Sequence, residues 1–268
     1  MEKEGRFPLF FLYMLYICKL SGKCFLYTYS NIKVNLNNMK RILLFVSALW
    51  MGAMSLFATD TTCFPHRLLC DYLENPLGID NPNPRLSWQL NDSRQGAKQT
   101  AYQIWVGTDS LEVVNEKGNQ WNTGKQLSDR TLLSYKGEAL QPFTKYYWKI
   151  KVWDKDGVSS HSAIHTFETG MMQMKNWQGA WIGDWHDMHY KPAPYFRKVF
   201  QAKKNIKSAR AYLAAAGLFE LYMNGEKIGN HRLDPLYTRF DRKNFYLTFD
   251  VTNQMQEGAN AIGVLLGN

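Results

Sequence analysis

The sequence predicts an all-β chain built as two consecutive sandwiches. Three observations predict it: short runs of alternating apolar and polar residues, turn residues between those runs, and little helical periodicity. Its 268 residues are 45% hydrophobic and 15% aromatic with only 9 Pro, which excludes a disordered or collagen-like chain. A mean hydropathy of -0.39, with no apolar run longer than about 20 residues, excludes a polytopic membrane protein. Of the net charge of +9, five charges fall before residue 59. The remaining Lys and Arg are scattered among acids, with no run longer than short pairs such as Lys203-Lys204 and Arg242-Lys243, so no phosphate-tracking stripe exists and nucleic acid is not an expected partner.

The amino end reads as an export signal with a preface. Residues 39–58 give a positive start at Lys40 and Arg41, an apolar stretch, and small residues near Ser55 and Ala58, the pattern of a secretory signal peptide. Residues 1–38 read as a non-native upstream extension, with Met39 as the true start and a periplasmic or extracellular destination. A competing reading holds residues 7–18 or 42–57 as a membrane anchor, although both are short for a span of about 20 residues. Loss of this leader would leave Cys63 and Cys70 of the four cysteines. A disulfide between them is open in an oxidising compartment, but Cys70 in an expected strand over 68–74 reads better as a small buried thiol.

The first module is expected over 66–170. Along 146–153, Tyr146, Trp148, Ile150 and Val152 share one face while Lys149 and Lys151 point to water, which describes a half-buried antiparallel strand. Before it, Leu140, Pro142, Thr144 and Tyr146 alternate in a string that resembles the tyrosine corner of fibronectin type III domains. After it, residues 154–157 turn into a last strand ending at Thr169, and 170–177 reads as a linker. The second module is expected over 177–268. Residues 209–213 and 218–223 alternate, and Asn224-Gly225 is a strong hairpin signal. With strands over 245–251 and 261–266, the module reads as a jelly-roll or galactose-binding-like sandwich. Ile262, Val264 and Leu266 have one-sided spacing and the sequence ends soon after. The expectation is a truncated sandwich whose exposed face and open edge beside 261–266 promote self-association.

Motifs for chemistry are scarce. No nucleophile elbow, His-Glu-x-x-His, phosphate loop or dinucleotide fingerprint occurs, and no Cys-x-x-Cys. His161 and His165 on one strand would lie about 13 Å apart and read as surface residues. The run Asp184, His186, Asp187 and His189 crowds carboxylates and imidazoles on one loop, yet nothing specifies the turn a metal would need, so no metal and no cofactor is expected. Trp185 and Tyr190 beside it are candidate platforms for sugar rings. Trp181 reads as core, and Trp185 divides evenly between core and platform. Glycoside cleavage needs two carboxylates facing each other across a cleft, and sequence cannot place Asp184, Asp187, Glu220 or Asp234 in that way. Asp234-Pro235 reads as a turn and Glu220 as solvated, so no catalytic residue is assigned.

The order of strings is nevertheless specific. Residues 72–80 (YLENPLGID), 84–88 (PRLSW), 99–106 (QTAYQIWV), 121–124 (WNTG) and 147–154 (YWKIKVWD), then 177–182 (WQGAWI), 196–200 (FRKVF), 217–225 (GLFELYMNG), 250–252 (DVT) and 258–263 (GANAIG), resemble the amino-terminal part of bacterial α-L-rhamnosidases. The likeness covers about 67–268. It implies a fibronectin-like module and a jelly-roll module that precede an (α/α)6 barrel, where terminal α-L-rhamnosides are hydrolysed with inversion. No position here matches the family's catalytic motif. The implied partners are that barrel, belonging to the same protein, and a rhamnose-containing glycan. The alternative is a stand-alone carbohydrate-binding or adhesion protein.

Overall fold

The computed structural model describes residues 63–184 and 193–267. The export signal, the upstream extension, Trp185, Asp187 and Tyr190 therefore lie outside the described residues.

The first eight strands build a sandwich from two sheets. One holds β1 (Phe64–Cys70), β2 (Arg85–Asn91) and β5 (Leu132–Ser134) in the order β1-β2-β5; the other joins β4 (Trp121–Asn122), β3 (Gln99–Gly107) and β6 (Lys145–Asp154), with β7 (Ser159–His161) and β8 (His165–Glu168) along the far side of β6. Period two decides what is buried. Tyr146, Trp148, Ile150 and Val152 of β6 have no exposure and pack with Leu86, Ile104 and Phe167. The tyrosine corner is present: the Tyr146 hydroxyl accepts the Gln141 N–H at 2.8 Å. Cys63 and Cys70 are free, buried thiols, and burial raises the pKa of both.

Three expectations about this module change. β1 ends at Cys70, because Asp71 and Tyr72 adopt positive φ and turn the chain away. Lys149 is buried, not in water. A five-residue helix, α1 (Ser110–Val114), begins at the Asp109 cap and covers that face, and Lys149 Nζ donates to the Val114 carbonyl at 2.7 Å while sitting over the Trp105 ring. The last strand is split: His165 pairs with Trp148, and His161 with Lys151. Three steps along β6 thus oppose four along its partner. The extra residue places the histidines on opposite faces, since a one-residue slip inverts the pleat. Ser162 fills the break by accepting the Ile150 N–H at 3.1 Å.

The second module has two sheets. A four-stranded one runs in the order β12 (Glu226–Lys227), β11 (Leu218–Met223), β14 (Gly258–Gly267), β9 (Tyr195–Ala202), and a two-stranded one pairs β10 (Arg210–Ala214) with β13 (Tyr246–Asp250). Leu221, Met223, Phe249 and Val251 form the core, with Ile262, Val264 and Leu266 partly buried against it. The Asn224-Gly225 hairpin forms as the sequence predicts, both residues at positive φ. However, 261–266 lies on no edge: β14 is paired on both sides, by β11 and β9. Trp181 is 67% exposed rather than core; its segment, 177–184, has no strand partner among the described residues. Asp234 does not sit in a simple turn, for it bridges to Phe219 ahead of a cis Asp234-Pro235 bond.

Candidate functional site

The two modules meet at a built junction, and period two explains it. On β10 and β13, Ala211, Leu213, Leu247 and Phe249 turn toward the core of the second module, so Arg210, Tyr212, Tyr246, Thr248 and Asp250 must face the other way. That second face meets the first module. Glu168, at the end of β8, accepts two hydrogen bonds from the Arg210 guanidinium, from Nε and Nη2, each 2.7 Å. This bidentate geometry is the strong form of a carboxylate–guanidinium pair. Arg210 also lies 2.9 Å from Asp250 and 3.2 Å from the Thr252 hydroxyl. The Glu168 bonds, foremost, raise the Arg210 pKa against the opposing effect of burial.

A second cluster lies beside the first. The Tyr246 hydroxyl donates to Asp80 Oδ1 at 2.8 Å and accepts the Met171 N–H at 3.1 Å, while the same Asp80 oxygen accepts the Met172 N–H at 2.8 Å. Burial, then the Asp80 bond, push the Tyr246 pKa up. Approach here is so close that only glycine fits. A Cβ at Gly170 would stand 1.8 Å from the Tyr246 hydroxyl, and one at Gly78 would stand 2.2 Å from the Thr248 hydroxyl. Rings complete the contact: Phe143 meets Tyr212 edge-on at 5.0 Å, and Trp177 lies 5.8 Å from Tyr246.

The expected carboxylates do not assemble into a reactive pair. Glu220 shares its oxygens with Tyr222, at 2.7 Å, and with Lys227, and it is partly shielded rather than freely solvated. Asp234 pairs with His231 at 2.6 Å, and Asp184 lies on an exposed segment. Among the described residues, every carboxyl with a resolved shift is held low. Arg94 bonds hold Asp92 at about 2; at Asp154, Arg94 and backbone bonds outweigh burial; at Asp250, Thr252 and Arg210 do so; Glu220 is lowered by Lys227 and Tyr222. A general acid in glycoside cleavage needs the opposite shift. No group of three His, Cys, Asp or Glu poised for a metal occurs among the described residues.

Comparison with known proteins identifies both halves of this arrangement. Residues 65–173 match the family described as Rha78A-like, N-terminal immunoglobulin domain, and 204–268 match the Alpha-L-rhamnosidase N-terminal domain. This is an amino-terminal region of the α-L-rhamnosidase family. An α-L-rhamnosidase of Formosa agariphila is 33% identical over 227 residues, covering 75% of this chain and 24% of that protein. The structure of the α-L-rhamnosidase of Dictyoglumus thermophilum superposes with a TM-score of 0.72 at 40% identity, over 76% of this chain and 25% of that one. The Aspergillus terreus α-L-rhamnosidase superposes at 0.66 with 25% identity, over 77% and 24%. The rhamnosidase region thus spans about a quarter of the relatives' length. The residues that weld its modules, Asp80, Glu168, Arg210 and Tyr246, were not singled out from sequence. Arg210, Tyr212 and Tyr246 give only the polar half of an alternating pattern, and a polar face for water looks the same as one for a neighbouring module.

Proposed function

We propose that residues 63–267 are the framework of an α-L-rhamnosidase, and that inverting hydrolysis of terminal α-L-rhamnosides is carried by an (α/α)6 barrel belonging to the same protein. The observation that carries this reading is the pairing of two modules matched in order to the family's amino-terminal domains, and every carboxyl with a resolved pKa shift among the described residues is held low. The framework's grip on the barrel is assigned to the stretch between β12 and β13. Leu233, Leu236 and Tyr237 there are 73–83% exposed, an apolar surface that isolated modules avoid. Export follows from the signal at 39–58, and amino-terminal sequencing of secreted material tests it. The main test is a rate: the 268-residue chain with an aryl α-L-rhamnoside is expected to release no phenol above the protein-free control. Release that Glu220→Gln abolishes would overturn the framework reading.

A further inference from the structure

An open cleft at the junction has the chemistry of a sugar site. Phe143, Tyr212 and Trp177 line a cavity of about 340 Å³ together with Asn176, Gln178 and Gly179, near the small end of ligand pockets, which run from about 300 to 1,000 Å³. Phe143 is 46% exposed and sits at φ 52, an unfavourable conformation for a bulky residue. The Phe143 N–H to the Gly170 carbonyl (2.9 Å) and the Thr144 N–H to the Thr169 hydroxyl (2.9 Å) hold it there, and the ring stands clear of its own module against Tyr212. Such a side chain adds little to the first core; its exposed ring face is available to a ligand.

The polar atoms of the cleft point to the same ligand class. Among the described residues, neither the Trp177 indole N–H nor the Tyr212 hydroxyl has a hydrogen-bond partner, and Asn176, whose amide donates to the Met171 carbonyl at 2.8 Å, also lines the opening. Among the described residues, no charged side chain lines the cavity. Glu168 and Arg210, on the neighbouring strands, satisfy one another. Aromatic faces suit an apolar C–H surface, uncharged donors and acceptors suit hydroxyls, and no carboxylate among the described lining residues offers the partner a cationic ligand would want. We infer that this junction cleft binds one pyranose ring of a neutral saccharide, stacked on Phe143 and Tyr212 and hydrogen-bonded through Trp177 and Tyr212. This goes beyond the framework reading and is independent of where hydrolysis occurs.

The test follows indole N–H signals of the ¹⁵N-labelled 268-residue chain, with Trp177 assigned by Trp177→Phe, during titration with L-rhamnose, D-glucose and choline chloride. The expected result is a saturable shift of the Trp177 signal with at least one sugar, half-complete at millimolar concentration, and none with choline. Tyr212→Phe keeps the ring and removes one hydroxyl, so it is expected to weaken binding by about three- to tenfold. Trp185→Ala is expected to leave the shift in place. No shift with either sugar up to about 100 mM, a weaker limit than any specific site, would overturn the inference. So would a choline-driven shift, unchanged affinity in Tyr212→Phe, or loss of the shift in Trp185→Ala.

Discussion

The two modules bury their cores differently. In the first, a whole face of β6 is sealed, and Leu86, Ile104 and Phe167 share its zero exposure. In the second, all five residues of β10 and most of β14 are only half-buried. The difference lies in the number of strands that cover each core. Five strands wrap the far side of the first core, whereas the second core is covered on one side by a two-stranded sheet, which is marginal alone. That small sheet keeps its place because its outer face is held by the first module through Glu168–Arg210 and Asp80–Tyr246. A self-sufficient module therefore supports a dependent one.

Core truncation should give the largest contrast. Trp148→Ala is expected to cost about 3–5 kcal/mol, enough to unfold the first module and, with it, to loosen the second. Val264→Ala, in a half-buried position, should cost about 1 kcal/mol and leave the first module intact. Circular dichroism in the aromatic region during thermal unfolding checks both, and equal effects would break the contrast.

An intermediate effect is expected from Gly170→Ala. The added methyl collides with the Tyr246 hydroxyl, and overpacking of this kind costs about 1–3 kcal/mol. The second module should then melt before the first in calorimetry, as two resolved transitions. Gly183→Ala, whose methyl meets no described atom within 4 Å, should leave the parent profile unchanged.

The smallest effect is a pH dependence confined to the first module. Burial foremost lowers the pKa of His161 and His165 below the ordinary 6.5. The unfolded chain thus takes up these protons before the folded one, so stability is complete above pH 6.5 and falls as the pH drops below it. Between pH 7.5 and 5.5 the Tm should fall by about 2–4 °C, and His161→Gln/His165→Gln should flatten that slope.

Much of the fold was legible because period two and turn chemistry are local. Tyr146 through Val152, the tyrosine corner and the Asn224-Gly225 hairpin needed no distant information. The failures have one cause: sequence spacing does not reveal what covers a face. Lys149 was assigned to water because α1, which covers it, is only five residues long. His161 and His165 read as members of one strand because a single extra residue leaves no mark in composition. The sequence around 261–266 resembled an edge because its neighbour β9 lies some sixty residues upstream. The junction itself was invisible for the same reason, and with it the cleft lined by Phe143, Trp177 and Tyr212.

Rigid attachment of one module to the other is measured most directly by residual dipolar couplings from backbone amides in weakly aligned solution. One alignment tensor is expected to fit residues 63–173 and 193–267 together in the parent chain, and two different tensors are expected after Arg210→Ala. Two tensors of different magnitude or orientation in the parent would contradict the account.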